Sequence, residues 1–415
     1  MSKTSFVDYS PDCDFPIENL PYGVFSTKDD GTPRIGVAIG DLILDLKKSN
    51  GVFQGPLLKG KTDVFKQTTL NDFMALGKPY WIEARQSLQS YLAKENSSNR
   101  NKGVFVPQSE AKMHLPAQIG DYSDFFSSYY HAYNCSLMFN MAILKSNWRH
   151  IPIAYHGRSS SICISGTPVK RPVGQIIENP AQPEPTLQPT KRLDFELEVG
   201  VFLGGPLNKL GTTMDIDTVQ DNIFGVVILN DWSARDVQLW EMVPLGPFLA
   251  KNFASTISPW IVTMEALQPF LTENMKQDPV PLPYLRHEDN YNFDIVLEAH
   301  LKTDTSLTKL SQSNYKYLYW TAKQQLCHHA ITGCNMRPGD LLGSGTISGP
   351  TKDSVGCLME LTFNARDPVT LTDGKHRTFL EDGDEVILSG YCQGQGYRVG
   401  FGKCSGKILP SDYPL

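Results

Sequence analysis

No apolar run in this 415-residue chain is long enough to be a transmembrane helix. The opening Met1-Ser2-Lys3-Thr4-Ser5 leads into polar and acidic residues without an apolar core, so no secretory signal is expected. The closing Asp-Tyr-Pro-Leu is not a peroxisomal address, and the expected location is cytoplasmic. Basic surface is scarce as well: the formal net charge is −6 and no Lys/Arg run is long enough to make a local patch. That excludes a nucleic-acid surface and points to small-molecule partners, with no membrane. A Gly-x-Ser-x-Gly elbow is missing, which removes the common serine-hydrolase reading. The stretch Gly394-Gln395-Gly396-Tyr397-Arg398-Val399-Gly400-Phe401-Gly402 lacks the third glycine of dinucleotide spacing, and no helix follows, so it reads as tight β turns. The eight cysteines are scattered without paired spacing, as in a reducing compartment. Cys327-His328-His329 with Cys334 has no second cluster at a zinc-ribbon distance, so zinc is not expected.

What remains is a composition of 40% apolar and 20% charged residues, ordinary for a soluble protein, and a length sufficient for a large core and two domains. Residues 22–46 read as short strands, with Arg34-Ile35-Gly36-Val37-Ala38-Ile39, a Gly40-Asp41 turn and Leu42-Ile43-Leu44-Asp45-Leu46 forming a hairpin. Residues 70–95 read as helical, broken at Gly77-Lys78-Pro79, with Trp81, Ala84, Leu88, Tyr91 and Leu92 on one face. The polar run 96–103 is a loop, and a boundary near Ala117 divides the chain into residues 1–117, a small β-rich accessory domain, and 118–415. Residues 134–144 have helical spacing, and Pro180, Pro183, Pro185 and Pro189 mark a long loop. Residues 223–229 form a continuous apolar run, a strand buried on both faces, which ends in Asn230-Asp231-Trp232-Ser233-Ala234-Arg235-Asp236. Ends of buried strands hold side chains rigidly outside the core, which suits ligands and catalytic groups. Further strands are expected at 293–301, 341–347, 357–363 and 385–388, with a helix over 315–329 and a turn at Arg337-Pro338-Gly339-Asp340.

The proline-rich loop delivers the chain to Leu193-Asp194-Phe195-Glu196-Leu197-Glu198. As a strand, this stretch turns Glu196 and Glu198 to one face and Phe195, Leu197 and Val199 to the other. Two readings fit: a hard-cation site, because adjacent carboxylates repel unless a cation sits between them, or a solvated strand face. His131 read alone is a surface or capping histidine.

Together with Ile119-Gly120-Asp121-Tyr122-Ser123-Asp124-Phe125, Tyr155-His156-Gly157-Arg158, Asn230–Asp236 and Arg337–Asp340, this stretch resembles the fumarylacetoacetase family, over nearly the whole chain. The resemblance implies a mainly β fold with some α: a small N-terminal SH3-like β-barrel and a large C-terminal mixed β-sandwich or β-roll. It also implies a homodimer, and a metal-dependent hydrolase that cuts a carbon–carbon bond in a β-diketo acid, fumarylacetoacetate, at the last step of tyrosine and phenylalanine breakdown. Carried over residue by residue, Asp124, Glu196, Glu198 and Asp231 are the metal ligands, and this all-oxygen set selects Mg²⁺ or Ca²⁺ over zinc. A second cation site lies beside Lys251 and Ser255, the latter where the family commonly has threonine. His131 takes a proton from water, Glu360 orients it, and Arg235, Gln238 and Lys251 stabilise developing charge or protonate the leaving carbon, while the ion holds the departing enolate. Tyr155 and Thr346 match substrate contacts.

Three substrate-contact positions depart from the family pattern. Phe126 and Met242 stand where tyrosines are usual, and Asn140 where an arginine pairs with a substrate carboxylate; Lys145 or Arg149 could replace that arginine. Three functions stay open: the hydrolase itself, a repurposed relative that acts on a less polar diketo or oxo acid and forms or rearranges a carbon–carbon bond in biosynthesis, and a non-catalytic binder. Retention of His131 and Glu360 speaks against the binder.

Overall fold

The structure is a computed structural model that describes residues 4–49, 51–101, 103–145, 147–179, 181 and 184–414. Met1–Lys3, Lys102 of the polar run, Pro180 and Pro183 of the proline-rich loop, and Leu415 lie outside the described residues.

The first sheet is antiparallel, in the order Phe105–Pro107, Leu42–Asp45, Arg34–Ile39, Tyr22–Thr27, Ala111–His114. Its two edge strands are consecutive in the chain, joined only by the turn Gln108–Glu110. Three residues span about 10 Å at most, far less than the width of five strands at about 4.8 Å each, so the sheet must curl until its edges meet. The hairpin at Gly40-Asp41 forms as expected, Gly40 taking φ 54°. The segment after it divides at Gly77 into α1 (Asn71–Ala75) and α2 (Lys78–Leu92), with Pro79 tolerated in the first turn of α2. Trp81, Ala84, Leu88 and Leu92 are buried on one face of α2, while Tyr91 is half-buried.

The central sheet runs Ala154–Gly157, Tyr122–Phe125, Leu341–Gly343, Leu197–Leu203, Ile223–Asp231, Ser255–Ile257, Ile162–Ile164, with Val262–Thr263 also paired to Ile223–Asp231. It is mixed: Leu341–Gly343 is parallel to Tyr122–Phe125, and Ser255–Ile257 to Ile162–Ile164, while the other pairs are antiparallel. Alternation along Leu197–Leu203 explains the layering. Val199, Val201 and Leu203 join the largest core, shared with Leu297, Ala299, Leu388 and Phe401 of a third sheet; Phe202 faces α1 and α2 through Phe73, Trp81 and Phe224. The third sheet is ordered Leu307–Asn314, Val296–Lys302, Glu385–Gln393, Arg398–Leu409, Val169–Lys170. The central sheet is therefore covered on both faces.

Several expected elements differ in detail. The helix after His131 starts earlier, as α3 (Tyr129–Phe139), capped by Ser128 and ended by Asn140 in the left-handed region. Arg235–Glu241 (α4) follows the Ile223–Asp231 strand, and Met264–Leu267 (α5) follows Val262–Thr263. The expected helix 315–329 is a one-turn Tyr315–Tyr317 and a separate α6 (Ala322–Ala330), because Thr321 starts a new helix through a capping box with Gln324. The expected strand 293–301 is interrupted at Asp294-Ile295. Residues 357–363 are a short helix, α7 (Leu358–Leu361), rather than a strand. The buried Asp194 carboxylate accepts the N–H groups of Leu358 (2.8 Å) and Met359 (3.0 Å), and that cap overrides the apolar run. In the glycine-rich stretch only Gly394–Tyr397 is a turn; Arg398 onward is strand.

The expected strand 341–347 stops at Gly343 because Gly345, at φ 77°, turns the chain. A Cβ on Gly345 would lie 2.1 Å from the Phe125 carbonyl oxygen, a backbone atom that cannot yield. Gly345→Ala should destabilise the protein by more than about 1 kcal/mol in denaturant unfolding. Gly374→Ala, at φ 83° with open space around its Cβ, should cost less; equal losses would show that the steric contact is unimportant.

Candidate active site

Adjacent strands of the central sheet deliver carboxylates to one place. Asp124 comes from Tyr122–Phe125, Glu198 from Leu197–Leu203 and Asp231 from the end of Ile223–Asp231, while Glu196 lies in a break between Leu193–Asp194 and Leu197–Leu203. Asp124, Glu196, Glu198 and Asp231 are all buried and offer oxygens within 4.8 Å of one another. Of the two readings of Glu196 and Glu198, the solvated face is thereby excluded.

Lys251 Nζ reaches Glu196 Oε2 and Asp231 Oδ2 (2.8 Å), and Arg235 Nη1 donates to Glu196 Oε1 (2.7 Å) and to Gln238 Oε1 (3.3 Å). Burial alone would raise the pKa of Glu196, but Lys251 and Arg235 hold it well below the usual carboxylate range. Asp124 and Glu198 lack such partners. Burial first, and then the neighbouring carboxylates, push both well above that range. The Gly345 N–H donates to Asp124 Oδ1 (3.2 Å) and Glu198 Oε2 (3.1 Å), yet Glu198 Oε1 is buried without a hydrogen-bond partner. An orphaned buried carboxylate oxygen inside an oxygen-only cluster fits a hard cation. Tyr155 donates to Asp231 Oδ2 (2.7 Å) and Ser255 to Asp231 Oδ1 (3.0 Å).

A second group faces these carboxylates. His131, in the first turn of α3, has Nδ1 2.7 Å from Glu360 Oε2 on α7. Glu360 also accepts Asn134 Nδ2 (2.7 Å) and the Ser348 hydroxyl (2.8 and 2.9 Å). The Phe126 ring meets the His131 ring edge-on at 5.2 Å. Burial opposes a charge on His131, but the Cys135 sulfur and the Glu360 carboxylate beside it outweigh burial and raise its pKa well above the ordinary imidazole value. Cys357 completes a trio with His131 and Glu360, but burial raises its thiol pKa and it donates to Glu360 Oε2 (3.2 Å), so it is a proton-bearing neighbour rather than a thiolate ligand.

Both groups open on one cavity of about 910 Å³. Asp124, His131, Tyr155, Glu196, Glu198, Arg235, Gln238, Lys251 and Thr346 line its polar wall. Phe126, Phe139, Ile143, Met242, Leu245 and Met359 add an apolar part to the lining. Asp231, Ser255 and Glu360 stand behind the lining and act on it through the bonds given above. Asn140 does not line the cavity: it is the exposed left-handed residue that ends α3, a place set by helix termination. Sequence reasoning missed Asn134, Ser348 and Gly345. Asn134 sits three residues after His131, the helical spacing that puts both on one face; Ser348 and Gly345 come from a turn with no local signature.

Cys327, His328, His329 and Cys334 gather no metal-binding group among the described residues. The Cys327 thiol donates to backbone oxygens of Met214 and Tyr284, His328 bonds Tyr284 and His329 bonds Ser123.

Two family models match the chain: fumarylacetoacetase N-terminal over residues 18–116, and fumarylacetoacetate hydrolase C-terminal over residues 127–408. The chain is 52% identical to fumarylacetoacetase of Homo sapiens over 419 residues, covering 99% of this chain and 100% of that one. It is 53% identical to the Bos taurus fumarylacetoacetase (98% and 99% covered) and 53% to that of Arabidopsis thaliana (98% and 98%). Among solved structures, a fumarylacetoacetate hydrolase from Exiguobacterium antarcticum shares the fold at TM-score 0.50 and 15% identity, covering 94% of this chain and 99% of that one. A maleylpyruvate hydrolase from Sphingobium does so at TM-score 0.50 and 14% identity, covering 94% and 100%. With both halves of its length matched and half of its residues shared with curated relatives, this chain belongs to the fumarylacetoacetase family.

Proposed function

We propose that the protein is a metal-dependent hydrolase that cleaves a carbon–carbon bond of a β-diketo acid, with fumarylacetoacetate as substrate and fumarate and acetoacetate as products. The observation that carries this reading is the facing of a His131–Glu360 pair and a four-carboxylate cluster across one cavity. Asp124, Glu196, Glu198 and Asp231 would hold a divalent cation, Mg²⁺ or Ca²⁺, which would supply Lewis-acid polarisation of a substrate carbonyl. Glu360 occupies His131 Nδ1, which leaves Nε2 as the nitrogen that takes a proton from water. The buried Glu360 carboxylate, fixed by Asn134 and Ser348, steadies the imidazolium that results. Arg235, Gln238 and Lys251 direct N–H donors toward the charge that develops on the leaving group, and Tyr155 and Thr346 position the substrate. Lys251 and the Ser255 hydroxyl, both bonded to Asp231, are the groups for a second cation.

The same reading makes residues 1–117 an accessory domain and 118–415 the catalytic one, and the ends of the two matched family models, at 116 and 127, support that division. It makes the protein a cytoplasmic homodimer of tyrosine and phenylalanine catabolism. No helix among the described residues is long and apolar enough to cross a membrane. Val243, Leu245 and Phe248 are 81%, 96% and 68% exposed beside the cavity mouth, an apolar surface that a second copy would cover.

A second reading, a relative that acts on a less polar diketo or oxo acid in a biosynthetic pathway, is favoured by the apolar wall to which Phe126 and Met242 contribute. If that wall has lost polar contacts to fumarylacetoacetate, Phe126→Tyr should raise kcat/KM on it by about 10-fold, the worth of one hydrogen bond of about 1.4 kcal/mol. An unchanged or lower value would favour fumarylacetoacetate as the substrate for which the wall is already suited.

Purified protein with Mg²⁺ or Ca²⁺ should consume fumarylacetoacetate, followed by its ultraviolet absorbance, with kcat of about 1–10³ s⁻¹. His131→Ala and chelation should each abolish turnover. Barely detectable turnover by folded, metal-loaded protein would overturn the proposed substrate. Because hydrolysis needs His131 unprotonated and its pKa is raised, kcat/KM should fall on the acid side with an apparent pKa above about 6.5. A profile that stays flat as pH drops through about 6 would remove His131 as the base.

A further inference from the structure

Cys135 is the fifth residue of a helical set that begins at His131, and the i, i+4 spacing on α3 places its Sγ 3.7 Å from His131 Nε2. Glu360 holds Nδ1 from the other side at 2.7 Å, so sulfur, imidazole and carboxylate stand in line. Both Cys135 and His131 line the 910 Å³ cavity, whose lining also includes Glu198 with its unpartnered Oε1. None of the hydrolytic steps above uses the thiol.

We propose that Cys135 is a nucleophile, activated by His131 and Glu360, for α,β-unsaturated carbonyl compounds that enter this cavity, and that its alkylation arrests the enzyme. The Sγ–H proton passes to His131 Nε2 as Sγ bonds to the β-carbon of the alkene. The alkene π pair moves to the α-carbon, which takes the proton back from the imidazolium, leaving a neutral thioether adduct and a neutral His131. No oxidant or other reagent is required. Cys357 also lies beside His131 and Glu360, but its thiol donates to Glu360 Oε2 and burial raises its pKa; burial likewise raises the thiols of Cys392 and Cys404, and Cys334 is exposed outside the cavity. A fumaryl group is itself an alkene conjugated to a carbonyl, so cleavage and thiol addition compete for the same bound molecule. The apolar part of the lining, with Phe126 against the His131 ring, also favours neutral enones of similar size.

The test is alkylation of the native full-length protein by N-ethylmaleimide and, as a smaller enone, methyl vinyl ketone, read by intact mass and peptide mapping without reference to hydrolytic activity. Cys135 should be modified on the order of 10-fold or more faster than the exposed Cys334, although it is 7% exposed. In His131→Asn, shown to be folded by its unfolding midpoint, Cys135 modification should slow by a similar factor while Cys334 is unaffected. Cys135→Val should lose the fast adduct. Absence of Cys135 adducts with both reagents, or an equal rate in His131→Asn, would overturn the proposal.

Discussion

Four buried carboxylates within 4.8 Å of one another are the constraint on which the rest of the molecule depends. Carboxylates taken out of water cost several kcal/mol each unless they are paired, and like charges at this spacing add repulsion. Lys251 and Arg235 offset part of it, but Arg235 is shared with Asp194 through Nε at 2.9 Å. The excess negative charge matches what a divalent cation neutralises. Only a rigid scaffold can keep such groups together before the cation arrives, and the central sheet is that scaffold. Tyr122–Phe125, Leu341–Gly343, Leu197–Leu203 and Ile223–Asp231 are successive neighbours in it, and each brings one part of the cluster or, after Gly343, the N–H that serves it. Covering the sheet on both faces removes the water that would otherwise weaken these interactions.

The break at Phe195-Glu196 links this cluster to the His131–Glu360 pair. A straight strand from 193 to 203 would continue one ladder; instead Leu193–Asp194 pairs with Ser233–Ala234, and Leu197–Leu203 with the central sheet. Asp194 is thereby turned to Arg235 on one side and to the first N–H groups of α7 on the other. That helix carries Glu360, which holds His131. A continuous chain of charge-assisted bonds therefore runs from Glu196 through Arg235 and Asp194 to the helix that carries Glu360. The distance between the carboxylate cluster and the His131 imidazole is set by covalent and hydrogen-bonded geometry, not by mobile side chains.

Local pattern was sufficient for the hairpin at Gly40 and the buried strand ending at Asp231, since each depends on periodicity within a few residues. Recognition of motifs extended this to Asp124, His131 and Glu360, which are distant in sequence. The errors have a common cause. Residues 357–363 look like a strand, and 193–198 like an unbroken one, until Asp194 is known to cap α7 across 164 positions. Asn140, which stands where the family has a carboxylate-pairing arginine, ends α3 in the left-handed region, a property of its surroundings in the fold. Ser348 and Gly345 act through a hydroxyl and a backbone N–H, groups that every chain contains in abundance and whose placement only tertiary structure decides.

The cavity combines two kinds of lining. Charged and donor groups from the central sheet, α3 and α4 share it with hydrocarbon from Phe126, Phe139, Ile143 and Met359. Such a combination lets the polar part act in a medium of low dielectric, where fixed dipoles act most strongly on developing charge. Helix α3 supplies both kinds of lining, His131 and Phe139, with Cys135 between them. A change on this helix therefore alters the surroundings of the His131 imidazole and the shape of the pocket together, and the thiol at its centre lies between the polar and the apolar contribution.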